Sequence, residues 1–153
     1  MKKYLVSCIA VLTFGLMFAW LALTFSKVTF GVEVVTTGYD ILKAGTADGA
    51  SAANARYVFL LLSIIFGGLS VLGACGAALQ AAGVLKVKFN LNMCVVCLLC
   101  LTALMAVVAT ICGFCIEIPE AMKDYVKIGA GVIIFPLWTV LGAVAAFLFR
   151  KAK

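Results

Sequence analysis

The sequence predicts an all-α membrane protein: a bundle of four transmembrane helices, both termini cytoplasmic, with a small β-prone extracytoplasmic loop. Three observations predict it. Of its 153 residues, 66% are hydrophobic and only 12% charged, with a mean hydropathy of +1.25, whereas soluble domains average about 45–50% apolar and about 25% charged. Four apolar stretches, residues 4–25, 57–85, 91–116 and 128–149, each reach the roughly 20 residues a helix needs to cross a hydrocarbon core of about 30 Å, and none carries a charge in its interior. The basic residues also segregate. Lys2, Lys3, Lys86, Lys88, Arg150, Lys151 and Lys153 fall on one side of a four-span threading with no acid among them. Lys27, Lys43, Arg56, Lys123 and Lys127 share the other side with Glu33, Asp40, Asp48, Glu117, Glu120 and Asp124.

That asymmetry places both termini and the turn at residues 86–90 in the cytoplasm by the positive-inside rule. The formal charge of +6 is therefore an orientation signal and an attraction to anionic lipid. Basic residues scattered without interleaved aromatics make no nucleic-acid groove. Residues 1–153 read as one transmembrane domain, with outside loops at 26–56 and 117–127.

The first span begins at Tyr4 behind two lysines, like a signal peptide. Its apolar run exceeds the roughly 7–15 residues of a signal h-region and ends in bulky residues from Trp20 to Phe25 instead of a small-x-small site. Leu5-Val6-Ser7-Cys8 mimics a lipobox but has no h-region before it. The first outside loop is dense in β-branched residues from Val28 to Thr37 and predicts a strand or short hairpin broken at Gly31 and Gly38. Tyr39, Ile41 and Leu42, beside Asp40 and Lys43, predict an amphipathic turn on the lipid surface. Residues 45–54 are small and polar, and Asp48 or Ser51 can cap a second helix that outruns the bilayer.

In the second outside loop Pro119 is expected to close the third helix, and Glu120 to Tyr125 to form a brief helical lead-in to the fourth. Pro136 is expected to kink that last helix. Trp20, Phe25, Tyr57, Tyr125 and Tyr4 fall where interfacial aromatic anchors belong. Neither loop contains Cys, His or a glycosylation sequon, so a zinc site or a catalytic triad has no ligands to draw on.

The clearest packing signal is in the second span. Gly67, Ser70, Gly73, Ala74, Ala77 and Ala78 form overlapping small-xxx-small registers, with Ser70, Ala74, Ala78 and Ala82 as one stripe and Gly73, Ala77 and Ala81 as the next. In lipid, helices associate through close backbone approach, which such stripes permit, so helix 2 is expected at the centre of a left-handed bundle. Gly15 with Ala19, and Gly142 with Ala146, supply matching shallow faces. Gln80, Asn92 and Thr102 are expected to hydrogen-bond across helices.

Seven cysteines lie in the spans: Cys8, Cys75, Cys94, Cys97, Cys100, Cys112 and Cys115. Cys112-Gly113-Phe114-Cys115 is a C-x-x-C of the kind used by membrane thiol oxidoreductases, but no loop supplies a relay pair. Cys94, Cys97 and Cys100 share a broad helix face and with Met93 form a soft-metal candidate. Free cysteine more commonly serves as a small buried hydrophobe, and neither cofactor nor metal is expected. No span carries a titratable residue of the kind proton-coupled transport needs.

The layout of four spans, both ends inside, a β-prone first outside loop and a short second one resembles the claudin-type tetraspan arrangement and many small bacterial membrane proteins. The resemblance covers topology only. The W…GLW-C-C pattern of claudin-like loops has no counterpart here, so no junction-forming role carries over. The Lys2-Lys3 start and the missing sequons suit a bacterial inner membrane. The function expected is that of a non-enzymatic membrane component, an accessory or self-assembling subunit contacting other proteins or copies of itself as a homo-oligomer or larger complex. Two alternatives are an oligomeric pore lined by Ser63, Ser70, Thr102 and Thr110, and a thiol oxidoreductase using Cys112 and Cys115.

Overall fold

The computed structural model describes residues 4–30, 32–46, 48–49 and 51–150. Lys2, Lys3, Lys151 and Lys153 of the charge argument, and Gly31 of the hairpin, lie outside these. In chain order the elements are α1 (Leu5–Leu21), β1 (Thr24–Phe30), β2 (Val32–Thr37), α2 (Gly38–Ala44), α3 (Ser51–Ala81), α4 (Leu91–Phe114), a 3-10 helix (Glu120–Tyr125), β3 (Val126–Ile128) and α5 (Gly131–Phe149). The protein is mostly helical, with one small antiparallel sheet of order β2-β1-β3. Helices α3, α4 and α5 are long and apolar enough to cross a membrane, while α1 is shorter at 17 residues.

The four long helices form a ring. Helix α1 packs on α3 and α5, α3 on α4, and α4 on α5, with α1 and α4 touching across the ring. Helix α3 is therefore not central, because it makes no substantial contact with α5. The reason lies in its buried seam, which is Leu60, Ser63, Gly67, Ser70, Ala74 and Ala77. These steps alternate between three and four residues, the spacing that keeps one narrow face toward a partner. The expected stripe of repeated four-residue steps overshoots each turn by about 40°. It drifts off the interface, leaving Ala78 half-buried and Ala82 exposed. Gly15 and Ala19 of α1 are likewise exposed. The face α1 buries instead is Val6, Ser7, Ala10, Thr13, Met17 and Leu21.

Side chains tie the ring together at a few polar points. Ser7 Oγ donates to Ala74 O at 3.0 Å, Ser63 Oγ to Thr102 O at 3.1 Å, and Trp138 Nε1 to Thr13 O at 3.0 Å. Gln80 sits in the last turn of α3, where it holds the α3–α4 turn and reaches the first residue of α4. Its Nε2 donates to Val87 O and Phe89 O at 3.1 and 2.9 Å, and its Oε1 accepts from Leu91 N at 3.2 Å. Thr102 donates within its own helix to Leu98 O, and Asn92 Oδ1 is buried with no partner among the described residues.

Burial is inverted relative to a soluble protein. The buried side chains are rich in Ala, Gly, Ser and Thr, while Leu72, Leu104, Leu141 and Leu148 on the outer faces are 54–69% exposed. Monomeric soluble proteins rarely expose continuous apolar surface on this scale.

Non-local pairing makes the first and last of the long helices shorter than the apolar runs expected at 4–25 and 128–149. Residues 22–25 leave the helix because Thr24 pairs with Thr37, and Ser26 pairs with both Thr36 and Ile128. Phe25, expected as an interfacial anchor, is buried at the base of the sheet, with its ring 6.2 Å from that of Phe135. At the fourth span, Ile128 belongs to β3 and the helix starts only at Gly131. Helix α4 ends at Phe114, before Pro119, which instead precedes the 3-10 helix. Pro136 lies inside α5.

Candidate functional site

The sheet, α2 and the 3-10 helix form a cap outside the helix ring. Its construction begins with the β-branched run. Val28, Thr29, Val32, Val34, Val35 and Thr36 favour the pleated conformation, and β1 pairs with β2 from Thr24↔Thr37 to Phe30↔Val32 with a bulge between Thr24 and Ser26. Lys27 and Lys127 stand directly opposite each other in the β1–β3 pair, an unfavourable like-charge pairing. Glu33 offsets it through a 2.7 Å ion pair with Lys27.

Helix α2 follows β2 without a break through a capping box. Thr37 N donates to Asp40 Oδ2 at 2.8 Å, and Asp40 N donates to Thr37 Oγ1 at 3.3 Å. The hydrogen bonds from the backbone and side chain of Thr37 hold the Asp40 carboxyl below its ordinary value of 3.8. Gly38 lets this corner press against α1, since a Cβ there would come within 2.9 Å of Leu21 O. Tyr39 OH donates to Phe18 O at 2.9 Å. Ile41 and Leu42 pack against the core around Met17, Leu21 and Phe25. The amphipathic turn expected on the lipid surface is thus spent on the protein, because the strand–helix corner delivers it directly over the end of α1.

The two edges of the sheet differ. Strand β3 has three residues and carries Lys127, a short and charged edge. Strand β2 has six, no other element among the described residues pairs with its outer side, and Val32, Val34 and Val35 are 73%, 56% and 43% exposed. Long edges with exposed β-branched residues and no proline are templates for adding another strand.

The other sequence candidates fall elsewhere. Gly67, Ser70, Ala74 and Ala77 are buried inside the ring and Gly73 and Ala78 half-buried. A Cβ on Gly67 would meet Phe14 of α1, and one on Gly73 would meet Val95 of α4. This stripe is consumed by internal packing. Ser63, Ser70 and Thr102 are at most 1% exposed within one chain, so they do not face a space between copies. Cys112 and Cys115 are adjacent at the end of α4 as free thiols, half-buried and exposed respectively. Cys94, Cys97 and Cys100 are exposed on the outside of the ring. Among the described residues no three His, Cys, Asp or Glu side chains gather as a metal site.

Sequence reasoning missed two features. The open edge of β2 needs the strand order to be known. Arg56, counted only as a loop charge, lies half-buried in α3 with its guanidinium 5.4 Å from the Phe25 ring centroid and packed on Gly113. The one available signal was a lone arginine at the head of an apolar helix. No protein family, curated protein or solved structure matches this chain.

Proposed function

We propose that this chain is a four-span integral membrane protein, of the bacterial inner-membrane kind, that works without catalysis as a self-assembling subunit. The edge of β2 joins it to a second copy on the outer side of the membrane. The observation that carries the reading is the exposed outer edge of the six-residue β2, which no other described element pairs. Two antiparallel β2 strands related by a two-fold axis extend each three-stranded sheet into one of six, with no new surface required on either partner.

The inverted burial of the ring supports the bilayer as its surroundings, since large apolar side chains face outward and small or hydroxyl-bearing ones face inward. Lys86, Lys88 and Arg150 flank the ring at the end opposite the sheet, and every acid of the sequence lies in the segments at the sheet end. That distribution supports cytoplasmic termini and an outer cap. No observation favours the pore or the thiol oxidoreductase over this reading.

Native mass spectrometry of the full chain in mild detergent tests it. Wild type is expected as a dimer or larger assembly, and Val34→Lys as monomer with unchanged helicity. A wild-type monomer, or an assembly indifferent to charge on β2, overturns it.

A further inference from the structure

Beneath the sheet, where β1 and β3 bridge the ends of α3, α4 and α5, lies a cavity of about 320 Å³. That is near the lower end of small-molecule sites, roughly 300–1,000 Å³. Its walls are apolar, with Phe25, Val28, Phe114, Ile116, Ile118 and Ile128 among them. Phe114 and Ile128 are 57% and 60% exposed, so part of this wall opens outward.

Two polar residues line this apolar space, Arg56 and Ser26. Among the described residues neither donor has an acceptor. Arg56 forms neither an ion pair nor a hydrogen bond among the described residues, and its one polar-type contact is with the Phe25 ring. The Ser26 hydroxyl forms no hydrogen bond either.

The six acids of the chain are accounted for. Glu33 is bound to Lys27, Asp40 to Thr37, and Glu120 lies 3.7 Å from Lys123. Asp48, Glu117 and Asp124 are exposed, and Glu117 and Glu120 line a separate open groove together with Lys123. The geometry also fixes the direction of the cation. A Cβ on Gly113 would meet Arg56 Nε and Cζ at 3.1 and 3.2 Å, so the absence of a side chain there is what gives the guanidinium its seat. Only a space of about 10 Å³ lies deeper along Arg56, toward Leu60 and Phe135, so the head of an incoming group stops at the arginine. Thr110, at that depth, donates its hydroxyl to Ala106 O.

We infer that this chamber binds the oxyanion headgroup of a membrane amphiphile, with Arg56 and Ser26 donating to its oxygens and the chain leaving along Phe114 and Ile128. A guanidinium presents paired donors that match phosphate and carboxylate oxygens, and an apolar wall selects an anion attached to a hydrocarbon chain over a hydrated one. In the four-span reading, on which this inference rests, the mouth stands at the outer headgroup level, where such amphiphiles are the commonest anions.

The test is native mass spectrometry of the full chain in neutral detergent, titrated with phosphatidylglycerol and phosphatidylcholine of the same acyl chains, and with laurate and inorganic phosphate. Wild type is expected to retain phosphatidylglycerol about tenfold better than phosphatidylcholine, the scale of one charge-assisted contact. Laurate is expected to compete and inorganic phosphate at the same concentration is not. Arg56→Gln should abolish the preference, and Arg56→Lys should retain part of it. Should Arg56→Gln fail to fold, Ile128→Trp fills the chamber without touching the charge and is expected to weaken retention of phosphatidylglycerol.

Equal retention of the two lipids, displacement by inorganic phosphate as effective as by laurate, or preference unchanged in both Arg56→Gln and Ile128→Trp overturns the inference. The same spectra report the oligomeric state. A wild-type dimer that retains the two lipids equally therefore counts against this site alone, and a wild-type monomer that keeps its lipid preference counts against β2 pairing alone.

Discussion

At the end of the ring away from the sheet the buried core is made of Ala10, Ala74, Ala77, Ala103, Ala143 and Ala146, with Val6, Val95, Val96 and Leu99 between them. Beneath the sheet it is made of Met17, Leu21, Phe25, Leu60, Val132 and Phe135, with two alanines, Ala106 and Ala109, among them. Interaxial distance follows the size of the side chains at the contact. Small side chains at the alanine end permit close approach of the helices, and the cavity beside Arg56 lies at the end where the seams carry larger side chains. The contrast teaches that one bundle can contain a clamp and a container, and that residue volume along the seams decides which end is which.

Substitutions can break that comparison or sharpen it. The largest effect is expected for Phe135→Ala, which removes the 1%-exposed ring that carries Phe25 and the sheet. Loss of a buried phenyl costs about 3–5 kcal/mol, read as a fall in thermal midpoint by circular dichroism in detergent. Next is one added methyl placed at either end. Gly142→Ala drives a Cβ into Thr13 and should destabilise by about 2 kcal/mol. Val28→Ile adds the same methyl to the wall of the chamber and should stay within about 0.5 kcal/mol. Equal effects at the two sites would refute the clamp-and-container description.

A third change addresses the join between the two regions. Gly38→Ala places a Cβ 2.7 Å from Leu21 Cδ2 and 2.9 Å from Leu21 O. It should cost about 1–2 kcal/mol and raise amide exchange in α2 while leaving the alanine end protected.

The smallest effect is a pH dependence. The Asp40 carboxyl is held below 3.8 by Thr37, so the folded chain binds that proton more weakly than the unfolded one. Its contribution is fully present above pH 3.8 and is lost as pH falls through the depressed value. Asp40→Asn should flatten that part of the profile of thermal midpoint against pH. An identical slope in wild type and variant would remove the capping box from the account.

Much of the local structure was legible in the sequence. Long uncharged apolar runs gave the helices, the β-branched run gave the hairpin, and of the two expected caps, Asp48 and Ser51, the second is the first residue of α3 itself. Other features were not. Strand β3 is three residues long and exists because β1 offers it a partner 100 residues away in the chain, which no local pattern encodes. The small residues of α3 were recognised as a packing code, but the four-residue registers named the wrong line along the helix. The true seam alternates threes and fours through Leu60 and Ser63, neither of which is conspicuous by size. Gly15 looked like a contact glycine and faces outward, since nothing in a single helix states which side its neighbours take.

By itself, the sequence determined that the chain is helical and apolar, where its helices lie to within a few residues, and which segment turns to strand. These are local consequences of hydropathy and backbone preference. The tertiary structure alone decided that α3 belongs to a ring, that β2 is left with an open edge, and that Arg56 meets no acid. Each of those depends on which distant segments come together, and charge, pairing and packing partners are properties of that meeting, absent from any one stretch of chain.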